Sequence, residues 1–292
     1  MFRSLQFLLL LGMLLGWSPP AGAERILIVA PHPDDETISL GGWVADQVAS
    51  GSEVWAVVVT DGARFPRAIR ARSVKPTLLF RPHDFRKLGR RRRLEASCAL
   101  KNLGVPAEHR IFLGYPSGAM AAIYQTPRWD TLVTCRALGQ RYGVAEWGGK
   151  RQTHPFSRRA LVGDIDRLLD LAKPDLIVLP VAFDSNVDHQ AVSRLFIERM
   201  QFHQVPARQM GYLVHLGSRK VFPRPFGYQP EGELLDPPRT PPAVRYYPSR
   251  AGLAAKEKAI RCHRSQLGLR DGFLLSFIRR VELWWPGGKT TR

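Results

Sequence analysis

Between residues 31 and 36 the chain reads Pro31-His32-Pro33-Asp34-Asp35-Glu36, and a later stretch reads Phe183-Asp184-Ser185-Asn186-Val187-Asp188-His189. Imidazole and carboxylate are ligands for a borderline divalent ion such as zinc, and three protein ligands leave a fourth position for water. Binding to the ion lowers the pKa of that water from ~15.7 to near 7, which gives hydroxide at neutral pH. A second carboxylate beside the ion can take the proton as general base. Asp34 and Asp35 are adjacent and could divide those roles between them. Two prolines flank His32 and stiffen the loop that would hold the geometry. Structural roles compete with this chemistry. Asp34, Asp35 and Glu36 also suit the first turn of a helix, and Asp188 also suits an N-cap for a helix beginning near His189.

Something must bring the two stretches together. Arg25 to Ala30 is a short, nearly continuous apolar run, as expected for a central strand covered on both faces. Thr37 to Ala49 follows as a helix closed by Ser50-Gly51, and Glu53 to Thr60 reads as a second buried strand, completing a βαβ unit. Arg90 to Leu103 is helical, and Arg110 to Leu113 is a third strand running into Gly114-Tyr115-Pro116-Ser117-Gly118. Ser157 to Ala172 is an amphipathic helix, Leu176 to Val181 a fourth strand and His189 to Met200 a helix. Gly211 to Leu216 reads as a strand, the proline-rich residues 221–248 as a surface loop, and Pro248 to Gln266 as a last long helix. This alternation predicts an α/β fold: a single doubly wound, mostly parallel, Rossmann-like sheet with helices on both faces. Ligands of such sheets lie outside the carboxyl ends of the strands. Both His/Asp stretches leave such ends, so they should converge on one edge.

Residues 24–292 read as one domain with two insertions, a basic one at about 63–93 and an irregular aromatic one at about 119–156. The latter carries Tyr124, Trp129, Tyr142 and Trp147, which suit a sugar-stacking wall or a small satellite core. Ahead of this domain, residues 1–23 combine Arg3, an apolar run from Phe7 to Trp17 and Ala21-Gly22-Ala23. That is the pattern of a signal peptide cleaved near Ala23, and it predicts export to the periplasm or the exterior. The run is short for a retained membrane anchor, the competing reading. Cys98, Cys135 and Cys262 show no CxxC spacing; they allow one disulfide from three pairings and make a cysteine metal site improbable.

Hydrophobic and charged fractions of 45% and 23% exclude disordered and fibrous classes. The net charge of +18 is concentrated, with twelve Lys and Arg in residues 61–93 against only Asp61 and Asp84. Such a field attracts polyanions. For an exported protein these are anionic membrane surfaces or acidic envelope glycans and not nucleic acid. The Arg-rich segment beginning at Arg64 would lie on the same sheet edge as the His/Asp stretches, where it could receive a phosphate or uronate.

The sequence PHPDDE after an apolar strand, with an Asp-His pair after a later strand, resembles the PIG-L/LmbE-like family of zinc-dependent N-acetylglucosamine deacetylases. Arg92-Arg93-Leu94-Glu95 followed by Leu103-Gly104 resembles that family's "RxxE…LG" helix, Phe112 to Gly118 its "FLGxPDG" turn, and His263-Arg264-Ser265-Gln266 its "HxSQ". The resemblance implies His32, Asp35 and His189 as zinc ligands, Asp34 as general base and Asp188 as a supporting residue. The family usually has His two positions before that Asp; here Asn186 stands there, able to donate a hydrogen bond to an oxyanion but not a proton. Ser117 replaces the usual Asp of the turn, and His154 and His263 are candidates to assist with substrate. The activity implied is removal of an N-acetyl group from a GlcNAc-type sugar of an envelope glycan or glycolipid. Two alternatives are an amidase for a larger acyl or peptide-like amide, and a non-catalytic cationic protein that binds envelope glycans.

Overall fold

A computed structural model of the protein describes residues 23–217, 221–269 and 272–287. The expected signal peptide lies almost entirely outside the described residues. In chain order the elements are β1 (Arg25–Ala30), α1 (Asp35–Ile38), α2 (Gly41–Ala49), β2 (Glu53–Thr60), α3 (Pro66–Arg70), α4 (Pro82–Asn102), β3 (Arg110–Tyr115), α5 (Met120–Gln125), β4 (Tyr142–Trp147), β5 (Lys150–Pro155), α6 (Arg158–Ala172), β6 (Leu176–Pro180), α7 (Val187–Phe202), β7 (Arg208–Tyr212), β8 (Val244–Tyr246), α8 (Arg250–Cys262), α9 (Arg264–Leu267) and β9 (Glu282–Pro286). No helix among the described residues is long and apolar enough to cross a membrane.

The strands form one sheet in the order β5-β4-β3-β2-β1-β6-β7-β9-β8. β1 lies at its centre, parallel to β2 on one side and β6 on the other. Its unbroken apolar run has the expected cause, because alternate side chains enter different cores. Ile26, Ile28 and Ala30 pack with Val44, Leu100 and Ile260 of α2, α4 and α8. Leu27 and Val29 pack with Ile123, Ile165 and Leu195 of α5, α6 and α7. Helices therefore cover both faces, as the sequence predicts.

The sheet as a whole is mixed, which corrects the expectation of a mostly parallel, Rossmann-like one. Strands β3, β2, β1, β6 and β7 run parallel, but β4 and β5 pair antiparallel at one edge and β9 and β8 at the other. The 119–156 insertion holds a β-hairpin, turned at Gly148-Gly149 with both φ positive, the backbone such a tight turn requires. Its outer strand starts with four exposed residues, Lys150 to Thr153, so no hydrophobic alternation announces it. The expected last long helix breaks at His263, and β9 beyond it was not expected. Glu282 of β9 accepts hydrogen bonds from the Gly42 and Trp43 amides at the start of α2 and pairs with buried Lys256 at 2.6 Å. One carboxylate thus satisfies a helix N-terminus that has no local cap and ties it to α8.

Of the three cysteine pairings, the structure holds Cys98–Cys262, joining α4 to the end of α8; Cys135 is free and buried. The bridge spans 164 residues of sequence, a long loop whose closure restricts the unfolded chain.

Candidate metal centre

Pairing between β1 and β2 continues past the strand end, since the Thr60 amide donates to the Pro31 carbonyl. The chain then turns sharply: the His32 amide donates to Asp35 Oδ2 at 2.8 Å, and Asp35 opens α1. Asp34 sits between them at φ 151°, a backbone conformation that side chains rarely adopt. From the other strand, Asn186 caps α7 by accepting the Asp188 amide at 2.9 Å. The N-cap is therefore Asn186 and not Asp188, which leaves the Asp188 carboxylate free for the site.

These turns bring three ligand atoms together. His32 Nδ1 lies 3.1 Å from His189 Nε2 and 3.4 Å from Asp35 Oδ2, and His189 Nε2 lies 3.0 Å from Asp35 Oδ2. Donors about 2.0–2.1 Å from a tetrahedral ion are about 3.4 Å apart, so one face of such a tetrahedron fits this triangle. The outer nitrogen of each ring meets a carboxylate: His32 Nε2 meets Asp188 Oδ2 at 3.1 Å and His189 Nδ1 meets Asp184 Oδ2 at 3.1 Å. Carboxylate–histidine pairs of this kind fix the ring and turn its other nitrogen toward a metal. The residues present thus fit a divalent ion. His32, Asp35 and His189 form the cluster among the described residues able to hold one.

Without an ion, the triangle holds protons. Burial lowers the affinity of both imidazoles for a proton, but the surrounding carboxylates outweigh it. His32 is raised to about 9 by Asp188 and Asp35, and His189 to about 10 by Asp35 and Asp184. Asp188 is itself held ionised against burial by His32 and by the Gly118 and Met120 amides that donate to it. The turn after β3 and the metal loop after β1 therefore meet on one carboxylate. Gly118 has φ 76°, and a Cβ there would lie 2.5 Å from an Arg64 guanidinium nitrogen, so only glycine allows Arg64 to fold over this turn.

Asp34 stands beside the triangle on its own hydrogen bonds. Its Oδ1 accepts from Arg92 at 3.1 Å, and its Oδ2 accepts from the Gln266 amide. Arg92 is buried and also donates to the Gly62 and Pro33 carbonyls. Burial raises Asp34 to about 7, with Arg92 opposing the rise and Asp35 adding to it. Glu36 behind it is raised to about 8 by burial and by Asp34, whose amide it accepts.

A cavity of about 500 Å³ opens on these groups. Its polar lining includes His32, Asp34, Asp35, Arg64, Ser117, Asn186 and Asp188, and its apolar lining Leu216, Phe222, Leu269, Phe273 and Leu274. The structure does not bring His154 or His263 to it. His154 packs in the hairpin against Tyr115 and Phe156. His263 is buried behind the metal loop, 3.3 Å from Thr37 Oγ1, and burial with nearby Arg92 lowers it to about 3. None of the insertion aromatics lines this cavity: Trp147 lies against Arg167, Trp129 and Tyr124 lie against Arg158, and Tyr142 lines a separate cavity of about 290 Å³.

Four residues of the site had no assigned role from sequence: Arg92, His215 and Gln266 on the cavity and Asp184 buried behind His189. Asp184, Arg92 and Gln266 sit inside motifs already singled out, and their partners become visible only when four chain segments meet. His215 is different. It follows β7 at the same sheet edge, 5.0 Å ring to ring from His189, and burial with His189 nearby lowers it to about 4, leaving a neutral imidazole facing the cavity. Ending that strand at Tyr212 instead of Leu216 would have placed His215 on the edge where ligands bind.

A sequence model of the family described as GlcNAc-PI de-N-acetylase (PIG-L) matches residues 27–200. A 1D-myo-inositol 2-acetamido-2-deoxy-alpha-D-glucopyranoside deacetylase of Kribbella flavida is 40% identical over 94 residues, which span 32% of this chain and only 28% of that relative. Among solved structures, the A40926 pseudoaglycone deacetylase superposes with a TM-score of 0.56 at 19% identity, covering 90% of this chain and 96% of the other. A deacetylase of teicoplanin biosynthesis gives 0.55 at 20%, covering 90% and 97%. At these identities the structural likeness is one of fold.

Proposed function

The chain belongs to the PIG-L family of GlcNAc-PI de-N-acetylases, and on that premise we propose that it is an exported, metal-dependent hydrolase. The bond it cleaves is the N-acetyl amide of a GlcNAc-type sugar in an envelope glycan or glycolipid. The observation that carries the proposal is the His32–Asp35–His189 triangle, each imidazole backed by a carboxylate, with Asp34 beside it on the cavity wall. Zinc or another divalent ion held there supplies a Lewis acid that polarises the amide carbonyl and acidifies a water.

The chain's own residues do the rest. Asp34, raised toward neutrality by burial and steadied by Arg92 and Gln266, takes the proton of the attacking water and passes it to the leaving amine. That route answers the absence of a histidine at 186. Asn186 uses its carbonyl on the Asp188 amide, so its NH2 end is left to donate to the developing oxyanion. Arg64 and Ser117, joined by a 2.8 Å bond from the Arg64 amide to the Ser117 hydroxyl, orient the sugar at the mouth. An acetate-release assay with added divalent metal, run across amino sugars, glycolipids and envelope polysaccharides, tests the proposal. No acetate from any of them, or no divalent metal in the purified protein, would reject it.

The apolar wall of Leu216, Phe222, Leu269, Phe273 and Leu274 favours a second reading, an amide with a larger acyl group. Comparing acetylated with long-acyl amino sugars in the same assay separates the two.

Arg92 supplies a pH prediction. Turnover needs Asp34 ionised, so the rate falls as pH drops through its pKa, and the Arg92 charge keeps that pKa down. Arg92→Met should therefore move the acid limb of kcat/KM to higher pH by about 1–3 units, with Arg92→Lys moving it less. An unmoved limb would remove Asp34 from the role.

A further inference from the structure

The segment between β2 and α4 is unlike the rest of the surface. Over residues 61–81 it carries six cations, Arg64, Arg67, Arg70, Arg72, Lys75 and Arg81, against one acidic residue, Asp61 at its start. All six are exposed. At its tip, large apolar side chains stand in water: Val74 is 98% exposed, Leu78 86% and Leu79 53%. Apolar residues at the end of a cationic loop bury nothing for the fold, and a polyanionic glycan would leave them wet. An anionic bilayer takes both, with lipid head groups meeting the cations and the acyl boundary taking the apolar side chains.

The tip also sits beside the cavity. Arg64 and Phe65 line the cavity and lead directly into α3. The Arg72 guanidinium donates to the carbonyl of Arg264, two residues before Gln266, which also lines the cavity. Val187, 61% exposed, also lines the cavity.

We propose that residues 71–80 form a membrane-docking tip that seats the cavity mouth on an anionic bilayer, so that the sugar reaches the site while attached to a lipid. The sugar in this statement rests on the deacetylase reading; the docking does not.

The test uses the full chain with an environment-sensitive fluorophore on Leu78→Cys, and on Lys150→Cys at the hairpin turn as control. Cys135 is buried and the other two cysteines are bonded, so labelling is site-specific. On vesicles of phosphatidylcholine with phosphatidylglycerol, the label at 78 should shift to the blue and the label at 150 should not. Pure phosphatidylcholine or high salt should weaken the shift. Val74→Asp, Leu78→Asp and Leu79→Asp together should lower vesicle binding about tenfold. They should also raise KM for a vesicle-borne acetylamino sugar by a similar factor, with KM for a water-soluble one unchanged. A label at 78 that stays in water on vesicle-bound protein overturns the proposal, because the N-terminal run would then be the anchor. Binding to a soluble polyanion that displaces vesicles without any blue shift overturns it in favour of a glycan surface. Blue shift without acetate release would sink only the deacetylase reading.

Discussion

Replacing Asp34 with Asn should lower kcat/KM for acetate release by about 10²–10⁴-fold, the range expected for losing a general base. The fold and the metal content should stay as they are. The site can absorb the change, because Asp34 accepts from Arg92 on one oxygen and from the Gln266 amide on the other. An Asn amide would face one of those donors with its own NH2. Gln266 Oε1 has no partner, so rotating that side chain by half a turn offers an acceptor and restores the pair. What the substitution removes is the carboxylate that can hold a proton near neutral pH. Acetate release measured beside metal analysis on the same preparation decides the matter. A loss of less than tenfold with full metal would assign proton transfer to another group.

The second large effect concerns the metal itself. His189→Ala should remove tight divalent binding and with it turnover, since it takes away one corner of the triangle and leaves Asp35 without its main partner. The wild-type protein should show the competition directly. The facing nitrogens of His32 and His189, 3.1 Å apart, are the atoms that would bind the ion, and their carboxylate partners hold both imidazoles protonated above neutrality. Metal must displace those protons. Affinity should therefore weaken by at least about tenfold per unit as pH falls below about 9. Asp184→Asn should cost about 10–100-fold in affinity by releasing the His189 ring. Calorimetry in buffers of different ionisation enthalpy reads both the slope and the proton count. A flat pH profile would mean that the triangle is not the binding site.

What the sequence disclosed follows a physical division. The two His/Asp stretches were legible because each leaves a strand buried on both faces, and such strands announce themselves by unbroken apolar runs. Their convergence on one edge then follows from the parallel order of β1 and β6. The edges of the sheet were not legible. β5 lies exposed with Lys150, Arg151, Gln152 and Thr153 and so needs no hydrophobic pattern, and in β9 a buried Glu282 stands directly beside buried Leu283, which breaks a strand's alternation. The roles of Arg92 and Gln266 were hidden for another reason. Each reaches Asp34 across more than fifty residues of sequence, and hydrogen bonds of that range leave no local signal.

The Cys98–Cys262 bridge has a consequence for turnover. Cys98 lies one turn beyond Glu95, and Glu95 accepts both the amide and the hydroxyl of Ser265, the residue before Gln266. The covalent link and this carboxylate thus hold the same two segments in register, and through Gln266 they hold Asp34. The redox poise of the surroundings becomes a variable of catalysis. Protein made in a reducing host would carry Gln266 on hydrogen bonds alone, so its specific activity would depend on where the chain was oxidised.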